Sequence, residues 1–445
     1  LATLRACARH LRHPARLKAE LATIAPLRTD LLPVNPDIAG YAVSAVADGR
    51  EVVLASASDH TLVRALADDY ALSDTYFASD ATMNLKGAAK AEALVATYGE
   101  RGFDYAGDAA VDRKIWERAD DALIVGKHPG IASALEADGH RVTRIAGGWH
   151  ARDLMRALRP HQWVKNILLV LPMIAAHEGA LATLWLIALG FAAFSAAASC
   201  IYIVNDLLDL EADRLHPTKQ RRPFANGAVP IQVGMLACAG LGVLALVLAA
   251  VLGAAFLGVI IGYMILSLAY SLRLKRMRWI DIATLAMLYT LRVVAGAAAS
   301  GVDASFYMLV FIFPVFITLG CVKRLTELTL ATTDERLPGR GYGRADRGDL
   351  LNVGALGIVG ALLIFYLYSR SPQAAVLYPT IWMLWLALIP IAAWLIRMLT
   401  LGYLGRQDYD PIVFAMRDKQ GIGLLLITLA LMFYAAGLWD SWFGG

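Results

Sequence analysis

The distribution of apolar and polar positions changes character near residue 150. Before it, charges are spread throughout and no apolar run is long enough to cross a bilayer. Short β-rich runs, EVVLAS (51–56), DTYFAS (74–79), FDYAG (103–107), DALIVG (121–126) and VTRIAG (142–147), alternate with helix-like stretches such as His60–Asp69 and Gly87–Tyr98. That alternation predicts an α/β, Rossmann-like domain with a parallel sheet over residues 1–148. Ligands of such sheets bind at the carboxyl ends of the strands. The polar residues there are Ser56, Ser58, Asp108 and Asp112.

Residues 149–163 form a linker in which Leu154, Met155 and Leu158 can share one face, with Arg152, Arg156 and Arg159 around them. The pattern suits a helix lying on a membrane surface, and equally a plain inter-domain helix. From residue 164 to 445 the chain reads as an all-α membrane domain with about nine spans. Their limits are 164–177, 181–204, 231–251, 254–272, 279–300, 304–322, 352–370, 374–398 and 422–440. The composition supports this: hydrophobic residues make up 58%, charged residues only 18%, and mean hydropathy is +0.54. Such a balance excludes an ordinary soluble protein.

Net charge is only +4, so the placement of charge matters more than its total. The loops after the second, fourth, sixth and eighth spans are basic, with Arg214, Lys219, Arg221 and Arg222 in the first and Lys323 and Arg324 opening the third. The positive-inside rule makes these loops, and the α/β domain, cytoplasmic. Basic residues scattered at membrane edges give no nucleic-acid signature. Cys7, Cys200, Cys238 and Cys321 form no CxxC pair and read as buried thiols.

The densest chemistry follows the second span, in CIYIVNDLLDLEADRLHPTKQRRPFANGAVP (200–230). On a continuous helix Asn205, Asp209 and Asp213 recur every four residues and share a face, with Asp206 beside them. Clustered acids repel unless a cation lies among them, and oxygen ligands of this kind suit Mg2+ shared with substrate phosphates. The alternative is a solvated acidic helix end paired with the arginines after it. The membrane-edge position and the basic run Lys219–Arg222 favour the metal. A second polar cluster, YSLRLKRMRWID (270–281), offers Tyr270, Ser271, Lys275 and Arg276 to phosphates. Asp281 and Arg292 sit in an apolar run eleven residues apart, roughly 16 Å along a helix. That spacing predicts partners on other helices. GRGYGRADRGD (339–349) can close over an anion or serve as a connector; DYDPIVFAMRDK (408–419) has no assigned role.

Two resemblances follow. LAS (54–56), NLKGAAK (84–90) and GDAAVD (107–112) resemble, in that order, the haloacid-dehalogenase (HAD) phosphatase superfamily. The resemblance implies that Ser56 holds a phosphoryl group, Lys86 (Lys90 as second choice) offsets its charge, and Asp108 and Asp112 hold Mg2+. The nucleophilic aspartate of that superfamily has no counterpart here. The chain begins at Leu1, so the first strand is expected upstream of it; a domain that has lost its chemistry is the alternative. The membrane half resembles the UbiA superfamily of intramembrane prenyltransferases through NDLLDLEAD (205–213) and the second cytoplasmic motif. Within it, RPHQWVKN (159–166), DRLHPTKQRRPFANGAVP (213–230), YSLRLK and LRVVAGA (291–297) are most similar to the decaprenyl-phosphate phosphoribosyltransferase family. The second acidic DxxxD motif of typical aromatic prenyltransferases is absent, and Asp281 stands alone.

This resemblance implies Mg2+-dependent transfer of 5-phosphoribose from phosphoribosyl pyrophosphate (PRPP) to a polyprenyl phosphate, for the cell envelope, at the inner (plasma) membrane of a bacterium. Asp206, Asp209 and Asp213 would be the metal and catalytic residues. Lys165, Asn166, Asn205, Lys219, Arg222, Tyr270, Lys275 and Arg292 would bind substrate, and the HAD-like domain would then remove the 5-phosphate. Membrane lipids are partners and a homo-oligomer is allowed. Two other readings stand beside it: prenyl transfer from a prenyl diphosphate to an aromatic or other acceptor, and a polytopic lipid carrier or transporter.

Overall fold

The computed structural model describes residues 2–10, 13–24, 28–302, 305–331, 336, 340–407 and 410–439. It divides into two compact units. One contains residues 1–154 together with Asp209–Ile231; the other contains Met155–Leu208 and residues 232–445. The segment between the second and third predicted spans thus groups with the α/β region.

All five expected strands form in the first unit: β1 (Leu54–Asp59), β2 (Tyr76–Ser79), β3 (Tyr105–Gly107), β4 (Asp121–Val125) and β5 (Arg141–Ile145). They pair in parallel, but as two sheets, β1-β2 and β3-β4-β5. Helices α1 (Pro36–Ala47), α2 (His60–Asp69), α3 (Ala88–Tyr98) and α4 (Pro129–Ala137) accompany them. The apolar positions of α3, β3, β4 and α4 meet in one core around Leu94, Ile115, Trp116, Ile124 and Leu135, with Ala55 and Phe77 against it. The Asp209–Ile231 segment belongs to the same unit. Its short helix Leu210–Leu215 lies beside the 3-10 turn Thr29–Leu31.

The second unit is helical. Among the described residues, seven helices are long and apolar enough to cross a membrane: α5 (Leu181–Leu208), α6 (Ile231–Leu252), α7 (Ala254–Leu272), α8 (Ile280–Ser300), α9 (Phe306–Leu330), α10 (Arg347–Ser369) and α11 (Ile381–Tyr403). A 17-residue apolar helix, α12 (Lys419–Ala435), follows. The predicted span 164–177 takes another form, an eleven-residue 3-10 segment (Pro160–Val170) leading into the short helix Leu171–Ala175. Runs of 3-10 helix this long are uncommon. The segment is held by close packing on α8: a Cβ at Gly296 would come within 2.0 Å of the Leu169 carbonyl oxygen. The sixth predicted span also differs, because α9 continues past residue 322 to Leu330.

Small residues let the backbones of α5 approach their neighbours, as in other membrane bundles. Ala193, Ala196, Ala197, Ala198 and Ser199 are all buried. With Phe194, Phe256, Ile260, Tyr263 and Ala295 the four alanines build one core; Val322, Leu325, Leu350, Phe365 and Leu395 centre another. Met235, Leu236, Val243, Val247 and Val251 on α6 face outward. An apolar outer face is what an integral membrane protein presents to lipid.

Candidate active site

The acidic motif does not form one continuous helical face. Helix α5 ends at Leu208, Asp209 is the junction (φ −94°, ψ 13°), and a separate short helix carries Asp213. The expected i, i+4 alignment of Asn205, Asp209 and Asp213 therefore breaks at Asp209. In the membrane unit Asp206 is buried and accepts a hydrogen bond of 2.5 Å from Arg159 Nη2. The Arg159 guanidinium lies 5.5 Å from the centre of the Tyr202 ring. Beside it, Asn205 Oδ1 is buried with no hydrogen-bond partner. In the other unit, buried Asp213 accepts 2.5 Å from Arg222 Nη1, Arg214 Nε donates to the Ala225 carbonyl at 3.2 Å, and Lys219 is exposed.

Among the described residues, no three His, Cys, Asp or Glu side chains gather as a ready-made metal cluster. The donors of the motif nevertheless fit a hard divalent cation in kind. They are all oxygens, and the one amide among them, Asn205, has a buried oxygen that nothing else satisfies.

The second motif is organised around Arg324, which the apolar pattern alone assigns to the loop after the sixth span. Arg324, fully buried on α9, donates through Nε to Asp281 Oδ2 at 2.5 Å and through Nη2 to Asp281 Oδ1 at 2.9 Å. It also reaches the Tyr270 hydroxyl at 2.8 Å and pairs with Glu327. Tyr270 donates to Asp281 Oδ1 at 3.0 Å, and Arg340 reaches both, at 3.3 Å to the hydroxyl and 3.7 Å to the carboxylate. Two arginines thus face two acids. Lys275 lies in the 3-10 turn Leu274–Arg276, half-buried. The signal for Arg324 was present in the sequence: Cys321, Val322, Leu325 and Leu328 continue the buried face of α9 around it.

Arg292 and Asn166, both expected to bind substrate, are brought together with each other. Arg292 Nε donates to Asn166 Oδ1 at 3.1 Å, Nη1 to the Leu288 carbonyl at 2.6 Å and Nη2 to the Tyr263 hydroxyl at 3.3 Å. Its guanidinium also lies 5.0 Å from the Phe194 and Tyr263 ring centres. Asn166 donates in turn to Ser195 Oγ at 2.9 Å. As the spacing of Asp281 and Arg292 suggested, each meets partners on other elements. Lys165 pairs with Asp410, and Lys323 stands 4.0 Å from the same carboxylate oxygen. Asp410 caps the short helix Pro411–Ala415. Of the DYDPIVFAMRDK stretch, Asp408 and Tyr409 lie outside the described residues, as does Gly339 of the glycine- and arginine-rich loop.

In the α/β unit, Ser56 Oγ accepts a hydrogen bond from the Ser58 amide at 3.1 Å, and Asp108 and Lys86 are exposed. Lys90, not Lys86, stands near the acids: it is buried, 3.8 Å from Asp112 and 2.9 Å from the Tyr105 hydroxyl. Burial lowers the Lys90 pKa, and Asp112 and Asp108 oppose that shift only in part.

Residues 166–417 match the UbiA prenyltransferase family. The chain is 32% identical to an uncharacterised protein, y4nM, of Sinorhizobium fredii over 94% of its own length and 82% of the relative's. It is 31% identical to the nodulation protein NoeC of Azorhizobium caulinodans, over 62% of this chain and 91% of that one. With decaprenyl-phosphate phosphoribosyltransferase of Mycobacterium tuberculosis the identity is 37%, over 40% of this chain and 61% of that enzyme. A match over more than half of its length shows that the chain belongs to the UbiA prenyltransferase family.

Proposed function

We propose that the protein transfers the 5-phosphoribosyl group of PRPP to a polyprenyl phosphate at the cytoplasmic face of the plasma membrane. The observation that carries this reading is the state of Asp281. The acid of the YSLRLKRMRWID motif is fully buried and neutralised by Arg324, with Tyr270 and Arg340 also within reach of its carboxylate, and Arg324 engages Glu327 as well. Two-cluster binding of a prenyl diphosphate calls for acids there. A single acidic segment surrounded by bases suits one metal-bound pyrophosphate and further phosphate groups. The identity shared with decaprenyl-phosphate phosphoribosyltransferase supports the same substrates.

In this reading Asn205, Asp206, Asp209 and Asp213 would hold Mg2+. When bound, that cation offsets the charge that grows on the departing pyrophosphate. Lys165, Lys219, Arg222 and Lys275 supply ammonium and guanidinium groups to the phosphates of donor and acceptor. The lipid phosphate oxygen attacks the ribose C1 carbon while the bond from that carbon to pyrophosphate breaks. The oxygen is already anionic near neutral pH, so no residue serves as general base. Arg292 and Asn166 act by position: their hydrogen bonds and ring contacts lock the segment that carries Lys165.

Rival donors test the reading. The full chain is offered labelled polyprenyl phosphate with either PRPP or a prenyl diphosphate, and Mg2+. Labelled phosphoribosyl lipid from PRPP alone is expected, abolished by Asp209→Ala or Asp213→Ala. Turnover of the prenyl diphosphate alone overturns it in favour of prenyl transfer. Lipid movement that survives both substitutions, without product, points to a carrier.

A further inference from the structure

Among the described residues, the cluster of Lys165, Lys323 and Asp410 sets two ammonium groups against one carboxylate. Around Asp281 two arginines meet two acids. Here two ammonium groups address one oxygen, Asp410 Oδ2, Lys165 in direct contact and Lys323 at 4.0 Å. Lys165 and Asp410 are buried, and the Lys323 side chain is only 19% exposed. Glu327, the other acid that Lys323 faces, is also engaged by Arg324 and Arg340, so positive charge stays in excess, and charge buried in a membrane segment is costly and often functional. The other Asp410 oxygen, Oδ1, has separate work: it accepts from the Ile412 and Val413 amides at 3.2 and 3.3 Å. Oδ2 is therefore replaceable without uncapping the helix. The wider surroundings are cationic too. Burial first, and then Arg159, Lys165 and Arg417, depress the His161 pKa.

We propose that Lys165 and Lys323 form a binding site for a phosphate monoester, and that Asp410 Oδ2 occupies it in the ligand-free chain. A phosphate monoester carries close to two negative charges at neutral pH, enough to balance both lysines where one carboxylate balances one. Lysine binds phosphate as a compact point charge and tolerates the swap between a carboxylate and a phosphate oxygen. The site deepens the transferase reading above and rests on it for its substrates. Both carry the required group, the lipid as its head and the ribosyl donor as its 5-phosphate.

The test reads binding rather than turnover. Tryptophan fluorescence of the full chain in detergent micelles is titrated with farnesyl phosphate, ribose 5-phosphate and, as the uncharged control, farnesol. The unsubstituted protein is expected to bind a phosphate probe more tightly than farnesol, and the responding probe identifies whether head group or 5-phosphate enters. Lys323→Gln weakens that probe about tenfold, while Lys323→Arg, which keeps the charge, weakens it less. Asp410→Asn keeps the cap and removes the competing charge, so it tightens the probe about tenfold. A merely structural ion pair gives the opposite: Asp410→Asn weakens binding as Lys323→Gln does, or neither changes it by more than about twofold. Either result, or no binding of any phosphate probe, overturns the site. Because no transfer is measured, a failed donor competition leaves this outcome readable, and the converse holds.

Discussion

Arg324 has no exposed surface, and its guanidinium is spent on Asp281, Tyr270 and Glu327. Removing one member of such a buried pair costs more than the pair contributes, because the other charge is left behind. Arg324→Met is therefore expected to destabilise the protein by about 3–5 kcal/mol, measured by denaturant unfolding in detergent micelles. Adding Asp281→Asn removes the stranded charge and should recover much of the loss. If the double variant is as unstable as the sum of the two single ones, the charge pairing is not what holds this junction together. Arg292 makes the complementary case. Its hydrogen bonds and ring contacts are all internal, so a residue that reads as a phosphate ligand in an apolar run is a pin between the 3-10 segment and α8. Nothing in a linear pattern pairs Arg292 with Asn166, which is 126 positions away.

The elements were legible where apolar length decides them. Spans expected at 231–251, 254–272 and 279–300 appear as Ile231–Leu252, Ala254–Leu272 and Ile280–Ser300. They failed where charge sits inside a helix or where packing overrides hydropathy. Lys323 and Arg324 ended the predicted sixth span because isolated charges are expensive in a bilayer, yet their partners Asp410 and Asp281 come from elsewhere in the chain. Residues 164–177 are apolar enough for a span, but Lys165 and Asn166 are buried among polar partners and the segment tightens into 3-10 helix against Gly296. The acids of the site were legible as a motif, and the pairing of Asp213 with Arg222 is what the alternative of an acidic helix end bridged to the following arginines expects; Arg159, 47 positions before Asp206, was not legible as its partner. Helix packing gives its own test. Cys200 on α5 and Cys238 on α6 place their sulfurs 3.3 Å apart, little more than an ångström beyond the ~2.05 Å of a disulfide. Mild oxidation with copper–phenanthroline should lower the thiol count of the unfolded protein from four to two, with Cys7 and Cys321 remaining. Four titratable thiols after oxidation would contradict the packing of α5 on α6.

At the scale of the molecule, the acidic motif straddles a boundary between units. Asn205 and Asp206 end α5, whereas Asp209 and Asp213 open the segment that groups with the α/β unit. The conformation of half the motif is thus set by residues near the start of the chain. Gly227 shows the dependence most directly. It holds φ +76°, and a Cβ there would come 2.8 Å from Pro33 Cγ. Gly139, in the turn between α4 and β5, holds a similar φ of +81° with nothing within 4 Å of the added carbon. Valine at either site meets the same backbone strain, about 1–2 kcal/mol for an L-residue in the left-handed region. Only Gly227→Val also pushes the segment off Pro33. The two variants should therefore lose similar stability from strain, while the proposed transfer from PRPP, measured as labelled phosphoribosyl lipid, is expected to fall about tenfold or more in Gly227→Val and to stay near its original rate in Gly139→Val. Equal transfer rates in the two would mean that packing on Pro33 does not position Asp209 and Asp213, and that the α/β unit is a passenger to the reaction.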